Sequence, residues 1–360
     1  MKNPGFAWRR NRGIQHPSEP ECQHHTCILP RFATEQRRIE MELPKTLVEA
    51  VRFFTDLNVC HEFMVSVKWD DGVATCPKCG GQNIGNIKSR RMFQCRVKGC
   101  RKQFSAKVGT IFEDSPLGLD KWLVAVWCVT NAKNGISSCE LARALGVCQK
   151  TAWFMLHRVR TAMAQDSSDQ LSGVCESDES FIGGAMRNMH FSRREQLPAG
   201  RGTVGKTIVH GILQRGNGDD VLSQVRLNIV KNQKRNTLQY HIKKHVKAGI
   251  VVYTDSLKSY EGLSTLYVHK MIDHAVTYVE GEVHTNGMEN FWSLLKRTLG
   301  GTYVSVAPKH LTRYCAEQAY RFNERGGNDG ARFRKVMKSV RGKRLTFKEL
   351  TAKTETIAGA

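Results

Sequence analysis

The sequence predicts an α/β protein whose main domain is a mixed β-sheet flanked by helices. Three observations support this fold class. From about residue 174, strand-like apolar runs are followed by an amphipathic helix and another buried strand. Four cysteines in two pairs precede this region, which is typical of a small metal-bound module of strands. Two helical segments separated by a glycine lie between the cysteines and the strands.

The composition favours a polyanionic partner. The 360 residues include 55 Lys and Arg against 33 Asp and Glu, which gives a formal charge of +22. Such an excess is typical of proteins that bind nucleic acid. No apolar run is long enough to span a membrane, and the arginine-rich start is unlike a signal peptide. We therefore expect a cytoplasmic, DNA-binding protein with no membrane partner.

The first predicted elements are an extension and a zinc ribbon. Residues 1–44 lack sustained periodicity, so we expect them to be disordered. Residues 45–112 contain the cysteines: Cys76 with Cys79, and Cys95 with Cys100. Two such pairs supply the four thiolates of one structural Zn²⁺ site.

Basic residues crowd around the cysteines, which favours a surface that faces DNA phosphates. A merely solvated charged face would look similar. The candidates for DNA contact in this domain are Lys88, Arg90, Arg91, Arg101 and Lys102.

Residues 113–165 predict a helix-turn-helix. Ser137 and Glu140 have the spacing of a capping box, and Gly146 breaks the first helix before the second. The second helix of such a motif enters the major groove of DNA, and Lys150 near its start is a candidate contact. A plain helical hairpin that only packs a core would give the same pattern.

The domain at 170–325 carries three separated acids. Asp178 lies in its first predicted strand, Asp255 follows the apolar run of the fourth, and Glu289 lies near a helix start. Carboxylates that converge in a phosphate-attracting protein would repel one another without cations. We therefore predict that these three acids bind two Mg²⁺ or Mn²⁺ ions, a site suited to cleavage and rejoining of DNA strands.

The segment HTNGMENFWSLLKR, residues 284–297, leaves two interpretations open. Asn286 and Glu289 fit a capping box, which would need no function. Alternatively, Glu289 and Lys296 share one helix face. Lys296 would then reach a phosphate, Trp292 would offer a stacking or packing surface, and Arg297 would add a DNA contact.

The acid beside Asp178 needs a separate decision. Successive strand residues face opposite ways, so Glu179 and Asp178 cannot both meet the metal ions. We assign Asp178 to the predicted site.

Several motifs together resemble the bacterial insertion-sequence transposases of the 1595 family. They are CPKCGG, SDESFIGG, VYTDSLKSY and VHTNGMENFWSLLKRTLGGTY, within roughly residues 45–325. The resemblance implies a ribonuclease-H-like domain with a metal-binding DDE triad on Asp178, Asp255 and Glu289, and the lysine of the third motif on Lys296. It also implies a zinc ribbon that helps recognise terminal inverted repeats. The longer second cysteine pair and the sequence ESDESFIGG depart from the family pattern, but neither removes a ligand.

The predicted function is that of a transposase that binds terminal repeats and target DNA and catalyses strand cleavage and strand transfer. It should act on the nucleoid as a dimer or higher oligomer. A domesticated or inactive transposase that only binds DNA, and another nuclease of the same fold, remain alternatives. Residues 326–360 predict a basic tail, either a helix that clamps DNA or a frayed end.

Overall fold

The computed structural model describes residues 42–164, 169–184, 188–195, 203–218, 221–272 and 284–352. Almost all of the predicted extension at 1–44 lies outside these ranges. None of the helices within them combines the length and the apolar character needed to cross a bilayer.

Two helices lead into a small sheet around the cysteines. Helices α1 (Leu47–Phe53) and α2 (Leu57–Lys68) are capped by Thr46 and Asp56, whose side chains accept backbone N–H groups. Strands β1 (Ile84–Ile87), β2 (Met92–Cys95) and β3 (Gln103–Phe104) form an antiparallel sheet in that order. The rings of Trp69, Phe93 and Phe104 pack together beside it. Because so small a sheet buries little else, a bound metal would supply much of its stability.

A helical region follows. Helix α3 (Leu119–Asn131) is almost wholly buried, and α4 (Ser138–Leu145) and α5 (Gln149–Met163) pack against each other. The predicted capping box at Ser137 and Glu140 is confirmed, and Gly146 ends α4 with a φ of 60°, a conformation that glycine adopts without strain.

The main sheet contains five strands in the order β6-β5-β4-β7-β8. Strands β4 (Cys175–Ile182), β5 (Thr207–Gln214) and β6 (Gln224–Val230) are antiparallel neighbours. Strands β7 (Val251–Asp255) and β8 (Val268–Ile272) run parallel to β4. The predicted mixed sheet is thus confirmed, with β8 as a strand that the sequence pattern did not indicate. The four-residue α6 (Phe191–Arg194) lies between β4 and β5 in the chain.

Helices cover both faces of this sheet, as predicted. Leu238 and Ile242 of α7 (Arg235–His245) pack on one face with Val252 and Tyr260. On the other face, α8 (Asn286–Arg297) and α9 (Pro308–Asn323) bury Phe291, Trp292 and Leu311 against β5 and β6. A π-helical turn, Thr298–Thr302, follows α8.

The carboxyl-terminal segment folds back onto the helical region. In α10 (Asp329–Lys338), Phe333, Val336 and Met337 are fully buried. The Phe333 ring contacts Phe54, Phe63 and Trp127. A short helix, α11 (Phe347–Thr351), ends the described part. Of the two forms predicted for the basic tail, the helix is confirmed for Asp329–Lys338 and the frayed end was wrong there, because the apolar residues of ARFRKVMKSV lie on one helix face that completes a core.

Candidate active site and cysteine cluster

The four predicted zinc ligands lie together. The Sγ atoms of Cys76, Cys79, Cys95 and Cys100 are all within 4.8 Å of one another. Cys76 to Cys100 and Cys79 to Cys95 are each 3.6 Å apart, near the roughly 3.8 Å between thiolates around a tetrahedral Zn²⁺. The backbone N–H of Lys78 points at the Cys76 sulfur, at 3.4 Å. These residues fit one structural Zn²⁺.

The pairing of β4 with β7 brings the first two acids side by side. Ser177 is opposite Thr254 in this parallel pair. Asp178 and Asp255 are each the next residue along, so they are adjacent at the carboxyl end of β7. Asp255 accepts a backbone hydrogen bond from Leu257 at 3.3 Å, which fixes the turn after the strand.

Asp178 lies in an environment that disfavours its charge. Burial raises the pKa of its carboxyl to about 6, and the negative charges of Asp255 and Glu289 act in the same direction. Hydrogen bonds from the Glu179 backbone and from Trp292 Nε1, the latter at 2.9 Å, oppose this rise without cancelling it. The three predicted carboxylates are thus close enough to interact electrostatically.

These carboxylates are more widely spaced than the cysteines. Within the described ranges, the cysteines form the one group of three or more candidate ligands with all atoms inside 4.8 Å. In a two-metal site the ions are about 3.5 to 4 Å apart. The ligand atoms of such a site therefore lie further from one another than the ligand atoms of a single ion. An acidic, partly buried group of oxygen donors fits Mg²⁺ or Mn²⁺.

Glu289 lies exposed in the first turn of α8. The residue that caps this helix is Thr285, and no side chain at the cap makes a capping hydrogen bond. Asn286 is already helical, so the capping-box interpretation of Asn286 and Glu289 was wrong.

The start of α8 is held by an acid from the central strand instead. Glu176, with 1% of its side chain exposed, accepts the backbone N–H of Met288 at 2.8 Å and pairs with Arg215 Nε at 2.6 Å. Arg215 also donates to the backbone oxygen of His284 at 2.7 Å. A Cβ atom on Gly287 would lie 2.8 Å from Glu176 Oε2, so only glycine allows this approach. We call Glu176, Arg215 and the Met288 N–H the α8 clamp.

The clamp was missed by the sequence interpretation. Glu176 lies two residues before Asp178 and therefore on the same face of β4. The period-two alternation of a strand was therefore the sequence signal that could have placed Glu176 on the face of Asp178. The consequence is that one strand both carries Asp178 and fixes the helix that carries Glu289.

Trp292 supports Asp178 from the same helix. Its side chain is 4% exposed, and it crosses Gly211, where a Cβ would lie 2.8 Å from the indole. Gly211 is the strand partner of Asp178. Of the two roles predicted for Trp292, the packing surface is confirmed. The DNA contact was wrong, because the ring is buried and its N–H is directed at a carboxylate.

Glu179 faces the opposite side of β4, as expected from strand alternation. It accepts hydrogen bonds from Tyr260 and, at 3.0 Å, from Gln233 Nε2. Burial, together with the charges of Asp178 and Asp255, raises the pKa of its carboxyl to about 7. Glu179 therefore borders the candidate site, but its carboxylate accepts its hydrogen bonds on the sheet face that α7 covers.

The remaining predicted DNA contacts are mostly exposed. Lys296 and Arg297 lie exposed in the last turn of α8. Lys88, Arg90, Arg101 and Lys102 are exposed around the cysteine cluster. Arg91 is half-buried and donates to Asn58 at 3.0 Å, and Lys150 lies over the Phe347 ring at 4.9 Å.

Comparison with known proteins agrees with this geometry. A family model for the ISXO2-like transposase domain matches residues 170–323, and one for the transposase zinc-ribbon domain matches residues 57–103. An uncharacterized protein in transposable element ISH50 of Halobacterium salinarum is 26% identical over 282 residues, 73% of this chain and 90% of that protein. An uncharacterized transposase-like protein of Haemophilus influenzae is 33% identical over 96 residues, 26% of this chain and 77% of that protein. No solved structure matches.

The first match spans the sheet with its three acids, and the second spans the cysteine cluster. The chain therefore belongs to the IS1595 family of insertion-sequence transposases.

Proposed function

We propose that the protein cleaves DNA at the ends of an insertion sequence and joins those ends to target DNA. The observation that carries this proposal is the placement of three carboxylates at the meeting of β4, β7 and α8. The β4–β7 register sets Asp178 beside Asp255, and Trp292 of the helix that carries Glu289 donates to Asp178 at 2.9 Å. A protein of charge +22 gains nothing for DNA binding from a partly buried acidic group. Such a group is useful where it binds divalent cations.

The three carboxylates would hold two Mg²⁺ or Mn²⁺ ions. Such ions would supply activation of the attacking water or 3′-hydroxyl and charge stabilisation at the leaving oxygen of an in-line displacement. Trp292 orients the Asp178 carboxylate through its N–H. The α8 clamp fixes Glu289 relative to Asp178. Lys296, exposed two turns after Glu289, binds a phosphate beside the reacting bond.

DNA recognition is assigned to the amino-terminal modules. The cysteine cluster holds a structural Zn²⁺, and its exposed Lys and Arg residues bind phosphates near the terminal repeats. Helices α4 and α5 act as a helix-turn-helix, with the exposed start of α5, including Lys150, directed at DNA. Because a transposase handles two element ends, we expect a dimer or higher oligomer on DNA.

A strand-transfer assay with labelled terminal-repeat DNA and Mg²⁺ tests the proposal. Joined products are expected from the unmodified protein. Asp255→Asn should abolish joining while leaving DNA affinity unchanged, because the substitution removes a metal ligand and no phosphate contact. Cleavage without joining would instead indicate a nuclease, and binding without either reaction would indicate a DNA-binding protein.

A further inference from the structure

A buried group of charges joins α5 to α9. Arg160 Nε lies 2.5 Å from one oxygen of Glu317, and Arg321 donates to the other oxygen. Arg160 and Glu317 have no exposed side-chain surface, and Arg321 exposes 7%. Burial alone would raise the pKa of Glu317, but Arg321 and Arg160 lower it to about 2, so the carboxylate stays ionised. Two guanidinium groups against one carboxylate leave one excess positive charge in the interior.

This excess charge borders a cavity of about 380 Å³. The volume corresponds to roughly a dozen water molecules, enough for a phosphodiester and its sugar. Several lining residues, including Thr312 and Arg344, are exposed, so the cavity opens to the surface. Its polar and charged lining residues are Arg160, Thr161, Thr312, Arg313, Arg344 and Glu349.

Arg160 and Arg313 have N–H donors that no group in the described residues accepts. Within the described residues, neither of the two buried Nη atoms of Arg160 has a hydrogen-bond partner, and its guanidinium carbon lies 3.9 Å from the Tyr314 ring centre. Arg313 is half-buried, and among the described residues no hydrogen bond or ion pair engages it. Burial and, next, the charge of Arg160 lower the pKa of Arg313, and the charge of Glu349 opposes this shift. A half-buried guanidinium group without an ion pair, such as that of Arg313, favours an anion with several acceptor oxygens.

Several acids also lie near the cavity, and most of them have other partners. Glu349 accepts the Thr346 N–H at 2.7 Å in the capping box that begins α11. Arg344 pairs with Asp114, with Glu113 3.8 Å away. Of the three lining arginines, Arg160 and Arg344 are therefore paired with acids outside the lining, and Arg313 is the one without such an ion pair among the described residues.

We propose that this cavity binds a phosphate of the DNA backbone, with Arg313 as its principal contact. The inference rests on the proposed function. A free nucleotide fits less well, because no aromatic ring lines the described cavity to stack on a base. The cavity lies at the carboxyl-terminal end of α5, the second helix of the predicted DNA-binding pair, and phosphate contacts are what set such a helix in register.

The test is the salt dependence of binding to labelled terminal-repeat duplex, measured in EDTA so that no strand is cut. Arg313→Ala should reduce the slope of log affinity against log salt by about 0.9 and weaken binding about tenfold near 0.1 M salt. Arg52→Ala, which removes an exposed arginine of α1, is the matched control and should leave the slope unchanged. The melting temperature of Arg313→Ala should not fall, because the substitution relieves repulsion from Arg160.

Three results would overturn the inference while the proposed function stood. They are an unchanged slope in Arg313→Ala, an equal loss in Arg52→Ala, and a lower melting temperature that accounts for the weaker binding. Inorganic phosphate that stabilises the unmodified protein but not Arg313→Ala, with equal DNA slopes, would identify a free-anion site instead. Failure of the unmodified protein to bind duplex at all would contradict the proposed function itself.

Discussion

At the scale of single residues, Asp178 is the side chain on which the account depends most. Burial raises the pKa of its carboxyl to about 6, from an ordinary value of 3.8. In the absence of cations, the ionised carboxylate therefore lowers the stability of the folded protein. A shift of about two units corresponds to roughly 3 kcal/mol. The pKa of Asp178 is higher in the folded protein than in the unfolded chain, so protonation of this carboxyl stabilises the fold. This stabilisation is fully present below about pH 4 and is lost as the pH rises through about 6.

The consequence is a prediction for Asp178→Asn. Without divalent ions, this variant should be more stable than the unmodified protein at pH 8, by up to about 3 kcal/mol, and equally stable below pH 4. Adding Mn²⁺ should raise the melting temperature of the unmodified protein only. Urea unfolding across this pH range measures the difference. Equal stability at pH 8 would show that Asp178 is not under electrostatic strain.

The sequence indicated the three acids but not their supporting partners. Asp178 and Asp255 follow from strand patterns, because period-two alternation and an apolar run are local signals. Glu176 could not be assigned, because its partner is a backbone N–H far along the chain. The sequence could not decide between the two roles of Trp292. An aromatic residue near an acid gives the same pattern whether its ring contacts DNA or packs over a glycine of the sheet, as the ring of Trp292 does over Gly211.

At the scale of elements, the α8 clamp makes one helix and one strand act together. Glu176 satisfies a donor at the positive end of α8, which a local capping residue usually does. The capping-box pattern at Asn286 was therefore misleading, since the tertiary contact replaced the local one. Strand β8 went undetected for a related reason: VHKMI is short and is defined by its pairing with β7.

Removing the clamp should loosen the metal site. In Glu176→Gln, Arg215 loses its ion pair and α8 loses a charged cap, so we expect the Mn²⁺ concentration for half-maximal strand transfer to rise at least about tenfold. Gly287→Ala should act in the same direction by displacing Glu176.

Glu317→Gln is the matched control for this experiment. It also removes a buried carboxylate bonded to arginine, but one on α9 outside the acidic group. It should lower stability without changing the Mn²⁺ dependence. An equal rise in both variants would mean that the clamp acts only through general stability.

At the scale of the whole molecule, the two ends of the described chain share one core. Helix α10 packs on α2 and α3, and Ile111 donates a backbone hydrogen bond to Val340. The basic composition of residues 326–360 suggested a tail because charge dominates the local sequence. The spacing of Phe333, Val336 and Met337 at i, i+3 and i+4 was the stronger signal.

Phe333→Ala tests this closure. Phe333 is fully buried among aromatic rings, so the substitution should lower the free energy of unfolding by about 3 to 5 kcal/mol. Phe347→Ala, at a residue that is 37% exposed, should cost less than about 1 kcal/mol. Denaturant unfolding measures both. A loss for Phe333→Ala no larger than that of the control would show that α10 adds little to the core.

The most direct test of the central claim is a crystal structure of the protein with Mn²⁺, in which anomalous scattering locates the ions. The account predicts two manganese ions about 3.5 to 4 Å apart, bound by carboxylate oxygens of Asp178, Asp255 and Glu289. Manganese bound elsewhere, with Glu289 directed away from both aspartates, would contradict it.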